Sequence, residues 1–462
     1  MIFCLIMANV AMESDSQLQI RLLTKQTHWR AHKSHEEHKN VEFDFVVGNE
    51  LLRIPLCEHL QEQDTSIEQV IEVEFVERFP SPEPQDCLEH DDWVSAAQAG
   101  GKWYLYSTLA PRHLVNTVVC FRIITGCYDS TLHLWVADKK KSSAQHQLTI
   151  PGHTGAVKDV AWLELGDEVS SFVSVSQDQT AMIWEWNPLS NSVECVHVLQ
   201  GHERGLECVA IDRAKSFIAT GGWDTILKIW STTPGPKKLF IEIKIWVRAP
   251  EQECAGEFCL CNCNFTCLAG GRDGESSAKK MKLDSQKPLN TPLLTLKGHK
   301  EAVSGAQWTD EGEICSSSWD HTLKVWDAEL GGIKAEIVGN KSFFDLSWSP
   351  LNRTLITASA DRHVRLYDPR STEGTLIKST FTSHTEWVQA VCWSTLHDQL
   401  FISAAYDNQV KLWDTRSPKA PLYDMSGHQD KVLCCDWSNP ELIISGGADN
   451  ALRIFKSKKA LS

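Results

Sequence analysis

Short runs that alternate apolar and polar residues recur along the chain from about residue 85 to residue 457. Runs such as "AVKDVAW" and "KVLCCDW" have the alternation expected of strands with one buried face. Each follows another apolar run that ends in Gly-His, as in "LTLKGH" and "HVLQGH". Many short strands at regular spacing, separated by turn residues, predict a mainly β fold.

A polar pattern with fixed spacing lies within these runs. A Ser or Thr is followed four residues later by Asp, and an aromatic residue follows six residues after that, in seven places. Successive aromatic residues are 49, 46, 96, 41, 46 and 42 positions apart. A period of about 40–45 residues is typical of four-stranded propeller blades. The pattern predicts a seven-bladed β-propeller over residues 84–457, with a long insertion, residues 232–291, between blades 3 and 4.

The spacing suits a hydrogen-bonded tetrad in each complete blade. The Asp would lie in the turn between the second and third strands and bond the Gly-His histidine, which in turn meets the Ser or Thr hydroxyl. The Trp indole N–H supplies the last donor. The predicted tetrads are His153, Ser174, Asp178 and Trp184; His202, Thr220, Asp224 and Trp230; His299, Ser316, Asp320 and Trp326; and His384, Ser403, Asp407 and Trp413.

Repetition decides between structure and catalysis for these residues. A Ser–His–Asp catalytic set is single and open to substrate, whereas this set recurs and is tied to a Trp donor. The chain also has no phosphate-binding loop and no complete metal-ligand set. We therefore expect a protein that is not an enzyme and needs no cofactor.

Two blades are expected to have weakened tetrads. Asn340 stands where blade 5 should have its histidine, and Tyr367 replaces the Trp of that blade. Phe455 in blade 7 has no N–H to donate. We expect these two blades to open more readily than the complete ones.

Blade 1 and blade 7 also differ in how their strands are supplied. His90 precedes Asp129 by 39 residues, against 21–25 in the complete blades, which predicts an inserted apolar loop within residues 104–122. The chain ends soon after Phe455, so blade 7 lacks an outer strand. Residues 84–89 are expected to supply it and close the ring, since closure removes exposed sheet edges.

The net charge of −15 is concentrated before the propeller. Residues 41–95 contain 15 acidic residues and two basic ones, Arg53 and Arg78. Such a segment repels nucleic-acid phosphates, so we expect no direct sequence-specific nucleic-acid binding. It suits a basic or metal-bearing partner, or it is a solvated face. The chain has no 18-residue apolar run, which predicts no membrane span.

The segment before the propeller predicts a small separate domain. Residues 1–16 are expected to be disordered, and residues 17–80 read as a strand at "QLQIRLLT", a strand and a turn at "GNE", a short strand, a helical turn and a last strand at "VIEVEFVE". This order suggests a ubiquitin-like β-grasp. Only about 15 polar, His-rich residues separate "LLTKQ" from "NVEFDF", so the domain is expected to be shortened.

These stretches together resemble a known family. A head with "VEFDF" and "EVEFVE", then "HDDWVS", then seven blades carrying "GHTGAVKDVAW", "SASADRHVRLYDPR", "NQVKLWDTRSPKAPLYD" and "ISGGADN" is similar to the WD-repeat-containing protein 12 family. Its members are the WD-repeat subunits of the PeBoW (pescadillo–block-of-proliferation) complex and carry an NLE-type ubiquitin-like head. The resemblance covers most of the chain apart from the insertions.

The resemblance implies an assembly factor of the large ribosomal subunit, found in the nucleolus and nucleoplasm. Its propeller would dock on the block-of-proliferation protein beside pescadillo and support maturation of precursor ribosomal RNA on the pre-ribosomal particle. The ATPase midasin would grip the head, with Glu68 completing the Mg²⁺ shell of midasin, as a carboxylate oxygen suits a hard cation. Lys279, Lys280 and Lys282 form a short basic cluster that reads as a nuclear-import signal or a solvated patch.

Other interpretations remain open from the residues alone. "YDPR" and "WDTR" resemble the docking box of substrate receptors of cullin-RING ubiquitin ligases, with Arg370 and Arg416 as the docking residues. The cluster from Cys254 to Cys267 has irregular spacing and is expected to be an exposed insertion rather than a zinc site. The His-rich segment, with His28, His32, His35 and His38, is expected to be a solvated linker.

Overall fold

The computed structural model of the chain describes residues 20–23, 42–62, 71–106, 117–138, 143–232, 289–309, 312–369 and 377–457. Its strands form eight sheets, one small N-terminal sheet and seven larger units that follow one another along the chain. The predicted mainly β fold, with a seven-bladed propeller after a small N-terminal domain, is confirmed.

The N-terminal domain is a mixed sheet with one helix. Its elements are β1 (Ile20–Leu23), β2 (Phe43–Val47), β3 (Glu50–Leu51), α1 (Leu56–Glu62) and β4 (Ile71–Glu77). The strand order is β1-β4-β2-β3, with β1 parallel to β4 and β2 antiparallel to it. A parallel pair of first and last strands is the β-grasp arrangement. Leu56 and Leu60 of the helix pack on Val47, Ile71 and Val73 of the sheet.

Each blade of the propeller is an antiparallel sheet of four strands. Blade 1 contains β6 (Val94–Tyr106), β7 (Thr117–Cys127), β8 (Thr131–Asp138) and β9 (Ala144–Pro151). Blade 2 contains β10 (Val157–Leu165), β11 (Ser170–Ser176), β12 (Thr180–Asn187) and β13 (Ser192–Gln200). Blade 3 contains β14 (Leu206–Ile211), β15 (Phe217–Gly222), β16 (Ile226–Ser231) and β18 (Leu294–Lys297).

The remaining four blades follow the same order. Blade 4 contains β19 (Val303–Trp308), β20 (Glu313–Ser318), β21 (Thr322–Asp327) and β22 (Ile333–Val338). Blade 5 contains β23 (Phe343–Ser349), β24 (Thr354–Ser359), β25 (Val364–Tyr367) and β26 (Ile377–Phe381). Blade 6 contains β27 (Val388–Trp393), β28 (Leu400–Ala405), β29 (Val410–Asp414) and β30 (Tyr423–Met425). Blade 7 contains β31 (Val432–Asp436), β32 (Leu442–Gly447), β33 (Ala451–Lys456) and β5 (Glu83–Glu89).

The ring closes through the segment expected from the sequence. Strand β5 pairs antiparallel with β33, from Ala451 opposite Glu89 to Lys456 opposite Glu83. The innermost strand of each blade packs against that of the next, and β31 of blade 7 packs against β6 of blade 1. Buried apolar side chains fill the space between neighbouring blades, such as Ile229 of blade 3 and Ile314 of blade 4. The predicted closing strand is confirmed.

Two expectations about insertions need correction. The long insertion lies within blade 3 and not between blades 3 and 4, because β18 pairs with β16 of the same sheet. Its last residues form β17 (Leu289–Asn290), which pairs with β13 as a fifth strand of blade 2. In blade 1, β6 and β7 stay paired from Lys102 opposite Phe121 to Tyr106 opposite Thr117. Residues 104–106 and 117–122 of the expected loop are therefore strand, and the rest of it lies outside the described residues.

Candidate functional site

The four predicted tetrads are assembled by hydrogen bonds in blades 2, 3, 4 and 6. In blade 4, His299 Nδ1 lies 2.9 Å from Asp320 Oδ2 and its Nε2 lies 2.7 Å from Ser316 Oγ. The Trp326 indole N–H donates to the same Ser316 oxygen over 2.7 Å. The corresponding distances in the other three blades are 2.7–2.9 Å. A neutral imidazole, donating through Nδ1 and accepting through Nε2, satisfies every partner.

The Asp of each tetrad also holds a strained turn. Asp320 accepts hydrogen bonds from the backbone N–H and hydroxyl of Thr322 at 2.9 and 2.6 Å. His321 between them has a left-handed φ of 69°. The residue after the repeat Asp is left-handed in all seven blades, namely Ser130, Gln179, Thr225, His321, Arg362, Asn408 and Asn450. A non-glycine residue in this conformation costs about 1 kcal/mol or more, which the Asp bonds offset.

Electrostatics keeps the tetrad of blade 4 in one protonation state. Burial alone would raise the pKa of Asp320, but hydrogen bonds from Thr322, the Lys300 amide and His299 outweigh it and lower the pKa to about 2. Burial lowers the pKa of His299, so the imidazole stays neutral.

The glycine before the histidine of blade 4 has a steric role, because a Cβ on Gly298 would lie 2.9 Å from Cη2 of Trp326.

Blades 1, 5 and 7 replace parts of the tetrad. In blade 1, His90 bonds Thr125 at 2.9 Å but turns its Nδ1 to the Leu88 carbonyl oxygen rather than to Asp129. The prediction that His90 takes the place of the Gly-His histidine is thus confirmed for the bond to Thr125 and wrong for the bond to Asp129. Asp129 keeps its bonds to the Thr131 N–H and hydroxyl, as the repeat Asp does in blades 2 and 4.

Blade 5 has a salt bridge where the histidine is missing, and blade 7 keeps its histidine. In blade 5, Arg365 Nη1 lies 2.5 Å from Asp361 Oδ2. In blade 7, His428 contacts Asp449 at 3.0 Å and Ser445 at 2.8 Å. Blade 7 therefore lacks only the indole donor. The greater mobility expected of these two blades stays a prediction.

The tetrad hydroxyls are not positioned for catalysis. Ser174, Ser316 and Ser403 are fully buried between strands, and each accepts an indole N–H while bonded to histidine. Within the described ranges, no three His, Cys, Asp or Glu side chains come together as a metal site. No helix of the described part of the chain is long and apolar enough to cross a membrane.

Several predicted residues lie outside the described residues. These are Glu68, Lys279, Lys280, Lys282, Arg370, the cluster from Cys254 to Cys267 and the four histidines of the His-rich segment.

The N-terminal domain and the linker after it, residues 78–82, dock on blades 6 and 7. The Leu51 N–H donates to the Arg416 carbonyl oxygen at 2.7 Å, and the Tyr423 hydroxyl donates to the Phe79 carbonyl oxygen at 2.8 Å. The buried Phe79 ring meets His397 and Trp437 edge-on, with centroids 5.3 and 6.1 Å away. The domain and the propeller therefore share a specific contact.

This contact involves one residue of the cullin-receptor hypothesis. The Arg416 guanidinium is held by both oxygens of the buried Asp414, at 2.9 and 2.7 Å. Its carbonyl oxygen is taken by Leu51 of the N-terminal domain. The "WDTR" box is thus used inside the chain, which counts against a docking role for Arg416.

One end of the central channel is surrounded by aromatic side chains that sequence reasoning missed. We call Trp93, Tyr128, Trp223, Trp319, Phe344, Trp387 and Tyr406 the aromatic collar. Ring contacts join Trp93 to Tyr128 and run from Trp223 to Tyr406, with centroids 4.8–6.3 Å apart. The sequence did contain a signal for the collar, because four of its residues immediately precede a repeat Asp: Tyr128, Trp223, Trp319 and Tyr406.

Cations already occupy two faces of the collar. The Lys158 ammonium lies 4.8 Å from the Tyr128 ring centroid, and the Lys431 ammonium lies 5.1 Å from that of Tyr406. Lys158 also pairs with Glu207 at 3.4 Å, and Glu207 accepts the Trp223 indole N–H. Lys158 and Glu207 therefore link Tyr128 of blade 1 to Trp223 of blade 3.

Three buried carboxyl groups line the channel below the collar. Each accepts a backbone N–H from the next blade: Asp159 from Val209, Asp345 from Val391 and Asp436 from Ala99, at 2.9–3.0 Å. Burial raises the pKa to about 7 for Asp159 and Asp345 and to about 6 for Asp436. The channel has a volume of about 490 Å³.

The Asp345→Asn variant should flatten the pH dependence of stability. Because the folded pKa is raised, the Asp345 contribution is full below the unfolded pKa of about 4 and is lost as pH rises through about 7. Removing this titration should change the slope of the unfolding free energy against pH by up to about 1.4 kcal/mol per pH unit. Urea unfolding from pH 4.5 to 7.5 measures it, with Glu194→Gln as the control for losing one surface charge. An unchanged slope would contradict the assignment.

Seven blades, four of which have a complete tetrad of His, Ser or Thr, Asp and Trp, define a WD-repeat β-propeller. The family model for the WD domain, G-beta repeat, matches residues 144–185, 193–231, 290–327, 333–368, 375–414 and 419–456. Curated relatives named "Ribosome biogenesis protein WDR12 homolog" are 47% identical in Aedes aegypti, 48% in Culex quinquefasciatus and 46% in Drosophila erecta. Each alignment covers 97% of this chain and 97% of the relative. The chain belongs to the WDR12 family of ribosome biogenesis proteins.

Proposed function

We propose that this chain is a non-enzymatic assembly factor in biogenesis of the large ribosomal subunit. It would act in the PeBoW complex, with the block-of-proliferation protein and pescadillo as its partners. The complex would support maturation of precursor ribosomal RNA. The observation that carries the proposal is near-complete alignment, at 46–48% identity, with relatives named for ribosome biogenesis. The nucleolus and nucleoplasm would be its location.

The geometry supports a scaffold rather than a catalyst. The repeated Ser–His–Asp groups are buried and saturated with structural hydrogen bonds. A closed ring of seven blades offers broad rigid faces for protein partners, and fold alone does not identify them.

The N-terminal domain suits a role as a handle for removal. Only residues 78–82 separate β4 of this domain from β5, which closes blade 7. Force applied to the head would therefore reach the closing strand almost directly. We infer that midasin grips the head, with Glu68, in the connection between α1 and β4, supplying a carboxylate oxygen to its Mg²⁺.

Glu68→Ala should abolish Mg²⁺-dependent binding of midasin and leave PeBoW assembly intact, because only the metal-ligating oxygen is lost. Co-precipitation with midasin in Mg²⁺ and in EDTA measures the first effect, and co-precipitation with pescadillo measures the second. Glu58→Ala, at an exposed position of α1, is the matched control and should bind normally. Midasin binding that persists in Glu68→Ala would refute the role of this residue.

The alternative function, a receptor for a cullin-RING ligase, has less support because Arg416 is engaged within the chain. Affinity purification separates the two. The proposal expects pescadillo and nucleolar particles to be recovered, whereas the alternative expects a cullin adaptor.

A further inference from the structure

The aromatic collar exposes more apolar ring surface than packing of the propeller requires. Trp93, Trp223 and Trp387 are 42%, 38% and 46% exposed. Trp223 and Trp387 line the same opening, and Trp93 contacts Tyr128 of its lining. Scattered exposed apolar residues are ordinary, but a contiguous aromatic patch at the mouth of a channel marks an interaction site.

The collar lies at the end of the propeller opposite the points where the chain's additions leave the described blades. Collar residues occupy turns after second strands, such as Trp319, or positions at the start of first strands, such as Phe344. The long hairpin of blade 1 joins a first to a second strand, and residues 232–288 leave blade 3 after its third strand. The N-terminal domain and the linker after it contact Arg416 and His397, which follow third and first strands. In an antiparallel blade the ends of the strands where these connections start are opposite to the collar.

Acidic side chains outnumber basic ones in the lining of the channel under the collar. Among the described residues that line it, Asp159, Glu207, Asp345 and Asp436 carry carboxyl groups, and Lys158 is the one cationic side chain. Lys158 is itself occupied by Glu207 and Tyr128. The three buried Asp groups receive backbone N–H donors, and no cationic side chain of the described residues pairs with them.

We propose that the aromatic collar binds a basic segment of a partner protein, with an Arg or Lys side chain passing between the aromatic faces toward the acidic channel. Aromatic faces attract cations, and the collar already does this with Lys158 and Lys431. The carboxyl groups below complement the incoming charge. This site is independent of the head and of Glu68, so its failure would leave the midasin proposal standing.

Two labelled peptides test the proposal on the full chain. One has four Gly-Arg repeats, and the other has four Gly-citrulline repeats, which keep the shape of arginine without its charge. Fluorescence anisotropy at 150 mM salt should show tighter binding of the arginine peptide. The double variant Trp319→Ala/Trp387→Ala should weaken that binding about ten-fold, since each cation–π contact contributes modestly.

Leu330→Ala is the matched control, because Leu330 is 81% exposed and lies in a turn after a third strand, on the opposite face. It should bind the arginine peptide as the unmodified chain does. Thermal melting checks that the double variant is folded, as expected for exposed or half-exposed rings. If the arginine peptide fails to bind, or binds the double variant as tightly as the control, the proposal is overturned.

Discussion

Removing residues 1–89 should destabilise the propeller sharply, whereas removing residues 1–77 should change its stability far less. The longer deletion takes away β5, which pairs with β33 and closes the ring. It removes Leu88, which is 6% exposed, and the bond from the Ala144 N–H to Asp86 that joins β5 to blade 1. Burial of one Leu contributes about 2–3 kcal/mol and each hydrogen bond about 1 kcal/mol.

The expected loss is therefore about 5 kcal/mol or more, and blade 7 is left with an open edge that favours aggregation. The shorter deletion removes the head but keeps β5 and Phe79, which packs on Trp437. Calorimetric melting of the two truncations and the full chain measures the difference. Equal melting temperatures for the two truncations would show that β5 does not close the ring.

Asp320→Ala should be among the most damaging single substitutions in the chain. The carboxylate accepts hydrogen bonds from His299, from the Lys300 N–H and twice from Thr322. Its loss leaves a buried imidazole N–H without its acceptor and frees the left-handed turn at His321. We expect a cost of about 3–5 kcal/mol, since unpaired buried donors are expensive.

Asp129→Ala in blade 1 provides the matched comparison. Asp129 occupies the same repeat position, but His90 bonds the Leu88 carbonyl oxygen instead. Its contacts with the Thr131 N–H and hydroxyl account for a cost of about 1–2 kcal/mol. Urea unfolding of both variants gives the free energies. Similar losses would mean that the bond between histidine and Asp contributes little to the tetrad.

The ring and its tetrads were predictable because they repeat. One Ser, Asp and aromatic spacing recurs seven times, and each copy specifies a turn, two flanking strands and a set of hydrogen bonds. The closing strand was predictable because blade 7 has only three strands near the C-terminus and needs a fourth from residues 84–89. The order of elements from β2 to β4 was also readable, because the turn at Gly48 and the alternation around Val73 are local signals.

The collar and the docked head were not predictable, because both depend on contacts between distant segments. Trp223 and Trp387 occupy different positions in their repeats, and Trp319 and Phe344 link them only because the ring curves. Arg365 replaces the missing histidine of blade 5 from a position that no other blade uses for this purpose. The Leu51 contact with Arg416 joins residues that are 365 positions apart, and nothing in either local sequence indicates it.

Association with pre-ribosomal particles tests the central claim most directly. A tagged full-length chain would be expressed in cells, and its sedimentation through a sucrose gradient would be followed together with pescadillo and large-subunit precursor RNA. We expect the chain to sediment with large-subunit precursors and to co-purify pescadillo. A chain that stays in the light fractions and recovers a cullin adaptor instead would contradict a role in biogenesis of the large ribosomal subunit.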